Sequence, residues 1–444
     1  MMTIFVLDVL LLVILLILGT PLPFVFGGGI VFMMIFADVP IKSLMLWSFN
    51  QMISPVLLAS PFFMLAGSII AESGIAKRLM DFANLFINRL KGGVGVLSVI
   101  TCGILGAISG SSFTGIAAVG PVLIPEMEKK GYERGFATSL VTCSSILGVL
   151  IPPSIPLIIY GWVTGTSVLG SFLSTVGPGI LTIITFSIIN LIYARKRLSS
   201  SNEYAATIEE EIVTNNEVQV NKSKNPFGIF IKAIPGLCMP VIILGGIYGG
   251  VFTPTEAAAV ASVLALFIGF FIYRELNMKK TYNMMRSSSI SIGAIMTMIT
   301  FCLILSQIFV MLKIPEQLVD IFMGITNSKL LVLVIVNIFL LFIGMIVNDT
   351  TAIILTAPLL LPLVVKFGIS PIQFAAIMTV NLAAGGITPP YASVLYYGMM
   401  VGDCKFSKIL KPTLVFLLFG YLPVIILTTY FEPVSMFLPR LFGF

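Results

Sequence analysis

Two short polar clusters interrupt otherwise apolar stretches of this chain. One is Ser109-Gly110-Ser111-Ser112-Phe113-Thr114, in the middle of residues 93–130. The other is Asn348-Asp349-Thr350-Thr351, in the middle of 330–366. Further along, each is followed by a double proline, in Gly148-Val149-Leu150-Ile151-Pro152-Pro153 and in Gly385-Gly386-Ile387-Thr388-Pro389-Pro390. Consecutive prolines remove amide donors and clash with the preceding turn, so a helix there must break. A broken helix leaves bare carbonyls at one end and bare N–H groups at the other. Carbonyl and hydroxyl oxygens suit a hard monovalent cation such as sodium; N–H ends suit an anion. The candidate cation ligands, many through backbone carbonyls, are Ser109, Gly110, Ser112, Gly148 and Pro152 in one set. The second set is Asn348, Asp349, Thr351, Gly385 and Thr388. Ser111, Thr114, Ser145, Thr350 and Asn381 are the candidate contacts for an anionic substrate between them. Asp349 is the one acid within these elements, and a carboxylate at membrane depth is expected to face a cation or a donor.

Other chemistries are excluded by what the chain lacks. It has no histidine, which removes His-based catalysis, metal ligation and proton relay. Its five cysteines are scattered without metal-ligand spacing and read as packing residues. An intramembrane hydrolase built on the serine cluster would need a base, and neither histidine nor a nearby lysine supplies one. No phosphate-binding GxxxxGK[ST] loop occurs, so ATP is not the energy source.

The elements that carry these clusters must be membrane helices. Of 444 residues 58% are apolar and 10% charged, against about 25% charged in soluble domains. Apolar runs near the roughly 20 residues needed to cross a bilayer cover 3–19, 22–37, 51–71, 135–165, 172–194, 233–252, 256–273, 288–312, 372–402 and 412–431. Regions 93–130 and 330–366 read instead as re-entrant helical hairpins, because the arms flanking each cluster are short. Such a tip survives at membrane depth only when buried in protein or lining a wet cavity. With the N-terminus outside, 20 of the 25 Lys and Arg fall in segments 74–92, 127–135, 195–232, 273–287 and 403–411. That bias places these segments in the cytoplasm and both termini in the periplasm. It also accounts for the net charge of +6 without a nucleic-acid partner. The polar stretch 195–232, with Glu209-Glu210-Glu211, reads as a flexible cytoplasmic linker between repeats 1–194 and 233–444.

The halves are related. A shift of 237 places 120–161 on 357–398 without a gap, with 11 identities in 42 positions, including Pro121/Pro358, Gly148/Gly385, Pro152/Pro389 and Tyr160/Tyr397. About three or four are expected by chance in such a composition. The charge-based topology puts one hairpin on each side of the membrane, so the repeats are inverted. The expected fold is an all-α polytopic membrane protein of two inverted repeats. The first has scaffold helices in 1–71, an amphipathic arm 74–91, hairpin 93–130, broken helix 135–165 and helix 172–194. The second has scaffold helices in 233–312, arm 313–329, hairpin 330–366, broken helix 372–402 and helix 412–431. Thr253-Pro254-Thr255-Glu256 reads as a capping box. On Asp8 the sequence is silent.

Several runs resemble the large membrane subunit of tripartite ATP-independent periplasmic (TRAP) transporters. They are Phe63-Met64-Leu65-Ala66-Gly67, Glu72-Ser73-Gly74-Ile75-Ala76, Gly106-Ala107-Ile108-Ser109-Gly110-Ser111-Ser112, Leu150-Ile151-Pro152-Pro153-Ser154 and Phe252-Thr253-Pro254-Thr255-Glu256-Ala257-Ala258. The second half adds Gly385-Gly386-Ile387-Thr388-Pro389-Pro390. The resemblance implies an elevator-type fold of the ion-transporter superfamily, in the bacterial inner membrane, in which hairpins and broken helices move together against a scaffold. It implies sodium-driven uptake of an organic acid such as a C4-dicarboxylate or a sialic acid, with at least two sodium ions and no organic cofactor. It implies two partners, a periplasmic substrate-binding protein and a small membrane subunit, the latter expected as a separate chain. It places one sodium at 109–114 with 148–153 and another at 348–351 with 385–390. The alternatives are a stand-alone divalent-anion/sodium symporter of similar architecture and an ion channel.

Overall fold

The computed structural model describes residues 1–87, 92–212, 226–389 and 392–444. Every regular element among them is helical, and nine helices are long and apolar enough to cross a membrane.

Both polar clusters form tight turns between antiparallel helices. In the first hairpin, Gly93–Ser109 ends at Gly110 with φ +63°, and Ser111 is extended before Ser112–Lys129 begins. A side chain at Gly110 would be strained by that φ and would also meet the Pro153 carbonyl oxygen 2.7 Å away. The second hairpin turns without a left-handed glycine. Lys329–Ile346 ends at an extended Val347, and Asn348 caps Asp349–Lys366, its side-chain oxygen accepting from the Thr350 N–H at 3.1 Å.

The prolines break both following helices. The first runs as Arg134–Ser145 and Leu147–Leu150, then restarts at Ile155–Thr164. The second runs Pro371–Ile387 and restarts at Ser393–Gly402; Pro390, part of the expected break, lies outside the described residues. The two broken helices cross head to tail. Arg134 Nε donates to the Gly402 carbonyl at 2.8 Å, joining the start of the first to the end of the second. Tyr160 donates to the Pro371 carbonyl at 2.7 Å, joining the end of the first to the start of the second. The restarted half of each packs on the second arm of the other repeat's hairpin. This reciprocal exchange is the signature of an inverted pair. Lipid is as apolar as the helix faces, so close packing of small residues, rather than water exclusion, holds such a body together. Gly398 and Gly402 accordingly lie against Thr142 and Thr138 of the first broken helix, with no room for a side chain.

Around this body stand Pro55–Glu72 and its neighbour Pro254–Phe267, joined by Thr255 Oγ1 to the Pro55 carbonyl at 2.6 Å and Ser262 Oγ to the Phe62 carbonyl at 2.9 Å. The expected capping box is present: Thr253 accepts from the Glu256 N–H, and Glu256 accepts from the Thr253 N–H at 2.8 Å. The first arm, Ile75–Ile87, packs on Pro226–Tyr248; its Arg89 and Lys91 lie outside the described residues. Arg78 pins it, pairing with Glu275 at 2.8 Å and stacking over Tyr273 at 4.4 Å. The second arm is Ile314–Ile325. Segments given to one side by charge meet one another, in the pairs Arg78–Glu275 and Arg197–Glu133.

Two features differ from the sequence reading. The stretch 195–232 is helical at both ends, since one helix runs Val168–Ile212 and the next starts at Pro226; residues 213–225 lie outside the described residues. The 45-residue helix continues past its apolar span, Val168–Arg197, because residues 198–212 include no proline or glycine to stop it. Two amphipathic helices, Ile41–Met52 and Pro433–Leu441, were hidden by their mixed polarity and short length. Asp8 is fully buried, its carboxyl oxygens against Gly29, without a hydrogen-bond partner among the described residues.

Candidate functional site

The two hairpin tips open onto one cavity of about 430 Å³. Gly110, Ser111, Ser112 and Thr114 reach it from the first repeat, and Asn348, Asp349 and Thr350 from the second. Phe113 joins them with its ring edge-on to Tyr397 of the second broken helix, centroids 5.6 Å apart. The scaffold closes the space with a serine wall: Ser60 and Ser68 from Pro55–Glu72, and Ser287, Ser288 and Ser291 from Met278–Met311. Ser60 is 1% exposed, and its hydroxyl has no hydrogen-bond partner among the described residues. A buried hydroxyl facing a cavity is open to bond whatever fills it, water or ligand. Among the described residues the lining contains one charged side chain, Asp349, and no Lys or Arg.

Glycines set the tips. A Cβ on Gly148 would lie 2.5 Å from the Ser111 carbonyl oxygen, and one on Gly106 would lie 2.6 Å from Gly148 Cα. The second repeat repeats this contact: a Cβ on Gly385 would lie 2.3 Å from the Gly344 carbonyl carbon. Each hairpin is thus pressed backbone to backbone against its own break. At the first break the Ile155 N–H donates to the Gly110 carbonyl at 3.4 Å, and no hydrogen bond among the described residues claims the carbonyls of Pro152 and Pro153. Oxygens of that kind fit a monovalent cation.

Ser109, Ser145, Thr351, Asn381 and Thr388 do not line this cavity. The hydroxyls of Ser109, Ser145 and Thr388 bond back to their own helices, to Leu105, Thr142 and Ala384 carbonyls at 2.9, 2.7 and 2.6 Å. Thr351 turns to Met298, Oγ1 to Sδ 3.2 Å, and lies outside the cavity. Asn381 donates to Asn337 Oδ1 at 2.7 Å, and Thr429 donates to the same oxygen at 3.2 Å. Asn381 therefore ties the second broken helix to its hairpin and does not line the cavity. The serine wall and Tyr397 were missed as site residues. The Ser287-Ser288-Ser289-Ile290-Ser291 run, polar inside a membrane helix, was the available signal.

The sequence matches the model of the tripartite ATP-independent periplasmic transporter, DctM component, over residues 9–434. The chain belongs to that family. It is a multi-pass membrane permease and not an enzyme. It is 33% identical to the C4-dicarboxylate TRAP transporter large permease protein DctM of Pseudomonas aeruginosa, over 94% of this chain and 93% of that one. It is 31% identical to the sialic acid TRAP transporter large permease protein SiaM of Vibrio cholerae, over 87% of this chain and 86% of that one. The crystal structure of the Alcanivorax borkumensis YdaH transporter shares the fold, with a TM-score of 0.54, 15% identity and 89% of each chain covered. In this permease the hairpin tips and breaks are therefore parts of a transporter, and the cavity between them is the candidate substrate site.

Proposed function

We propose that this permease takes up a small organic acid by sodium-coupled secondary transport, with the anion and its cations held between the hairpin tips. The observation that carries the reading is that tips from opposite repeats share one cavity whose single charged side chain is a carboxylate. An organic anion placed beside Asp349 with no Lys or Arg is repelled unless cations enter with it. The breaks supply neutral oxygens for those cations, one site per repeat, and the serines and tip N–H groups supply donors for the anion. Two sodium ions with a monocarboxylate carry one net charge inward, a drive of about 2.3 kcal/mol per 100 mV. The two hairpins and broken helices interlock into one unit, whereas the scaffold contributes one wall. This division supports an elevator in which the unit slides along Pro55–Glu72 and Met278–Met311 while the arms bend. The printed names of the relatives support a C4-dicarboxylate, a sialic acid or a similar carboxylate as substrate. Membership of a tripartite system supports a small membrane subunit and a periplasmic binding protein as partners. The charge bias supports the bacterial inner membrane with both termini in the periplasm.

Uptake of a panel of organic acids into proteoliposomes, with and without the small subunit and the binding protein, tests this. One acid is expected to accumulate in a sodium-dependent, saturable way only when all components are present. Sodium-independent uptake overturns the coupling. Uptake by this chain alone replaces the tripartite reading with that of a stand-alone symporter.

A further inference from the structure

A second, larger cavity of about 1060 Å³ lies far from the hairpin tips, where three membrane spans end on one face. These are the end of the span Val168–Arg197 and the starts of Arg134–Thr164 and Phe406–Tyr430. Its lining carries five cations against two carboxylates. Arg134 pairs with Glu128 at 2.8 Å and Arg197 with Glu133 at 2.7 Å, which uses both acids. Lys196, Lys408 and Lys411 are left, exposed and without an ion pair among the described residues. Lys408 and Lys411 sit one turn apart on one helix, where like charges repel unless an anion is shared.

The rest of the wall is apolar and aromatic. Phe136 and Tyr193 stack with centroids 3.6 Å apart. Ile192, Val415 and Phe419 continue from the lysines toward the membrane interior and are 50%, 41% and 71% exposed. A cationic rim above an exposed apolar slot, at the level where spans leave the bilayer, matches one amphiphile. We propose that this cavity holds an anionic phospholipid of the cytoplasmic leaflet, its phosphate on Lys196, Lys408 and Lys411 and an acyl chain along Ile192, Val415 and Phe419. A basic pocket between membrane helices on the cytoplasmic side is the setting in which such headgroups bind. The lipid would bridge the repeats beside the Ser139–Thr413 hydrogen bond of 2.8 Å, fastening the end helix of one to the broken helix of the other. This site does not depend on which acid is transported.

The test is native mass spectrometry of the whole permease in mild detergent, titrated with phosphatidylglycerol, phosphatidylcholine or inorganic phosphate. The wild type is expected to retain one phosphatidylglycerol in preference to phosphatidylcholine, and phosphate alone is expected not to displace it. K408Q/K411Q is expected to bind phosphatidylglycerol about thirtyfold more weakly. K279Q, which removes an exposed charge on the same face outside the cavity, is expected to bind as the wild type does. K196Q, on a different helix, gives an independent loss should the double variant fail to fold. Equal retention of both lipids, displacement by phosphate, or an equal loss in K279Q overturns the proposal.

Discussion

Replacing Gly148 with alanine tests whether the first hairpin tip must sit against the helix break. The new Cβ would lie 2.5 Å from the Ser111 carbonyl oxygen, 2.7 Å from the carbonyl carbon and 3.0 Å from the Ser112 nitrogen. All three are backbone atoms, so no rotamer relieves the contact. Ordinary contact begins at 3.4 Å, so the tip and the break must separate by about 0.9 Å. Overpacking of this kind costs about 1–3 kcal/mol. Alanine returns up to about 1 kcal/mol by favouring the helix over glycine. The balance is a net loss of roughly 0–3 kcal/mol, small enough for the protein to be made and inserted. The geometric effect is larger, because a shift near 1 Å in a preorganised site lowers turnover by as much as about a hundredfold. The assay is the initial uptake rate in proteoliposomes as a function of sodium concentration, normalised to inserted protein, with thermal stability measured alongside. Gly385→Ala should behave the same way, since its Cβ would meet the Gly344 carbonyl carbon at 2.3 Å. Gly293→Ala is the control, as nothing lies within 4 Å of its Cβ. Wild-type uptake and sodium dependence in Gly148→Ala would refute the idea that close apposition of tip and break builds the site.

Other substitutions separate the site from its supports. Asp349→Asn keeps the shape of the cavity and removes its charge; apparent sodium affinity should fall about tenfold or more while the melting temperature stays near wild type, and an unchanged sodium titration would remove Asp349 from coupling. Ser60→Ala deletes a buried hydroxyl with no partner among the described residues. Stability should hold or rise, since an unsatisfied buried polar group costs about 1–3 kcal/mol, while substrate affinity drops; unaltered affinity would show that Ser60 faces no ligand. Arg78→Ala tests the pin of the first arm. The hydrogen bond from Arg78 holds the Glu275 carboxyl below its ordinary range, so the pair stabilises the fold above the carboxylate's unfolded pKa and loses its effect as pH falls through the lower folded value. The partly exposed pair should contribute about 0.2–1 kcal/mol near pH 7, and the stability difference between wild type and Arg78→Ala should shrink by pH 4; a difference that persists there would assign the effect to packing on Tyr273.

The site was legible in the sequence where the backbone carries it. Gly110, Pro152 and Pro389 act through local backbone geometry, so the hairpins and breaks could be bounded to within a residue or two. Side chains are another matter. Successive residues of a helix point about 100° apart, and only packing decides which of them faces the cavity. Thr350 lines it, and its neighbour Thr351 turns to Met298. Ser112 lines it, and Ser109, one helix earlier, bonds back to Leu105. Gly148, expected to offer its carbonyl to a cation, also lets the backbones of tip and break touch, a contact that only the packed structure shows.

By itself, then, the sequence determined a membrane protein of two related halves, an expectation of which loops share a side, and the positions where helices must stop. Those follow from composition, charge bias and proline, which act over a few residues and do not depend on neighbours far along the chain. The tertiary structure decided that the two tips meet in one cavity, that scaffold serines close it, and that Asn381 serves Asn337 instead. Those depend on how helices far apart in the chain, by 44 residues for Asn337 and Asn381 and by more than 200 for the two tips, rotate against one another, which no local pattern encodes.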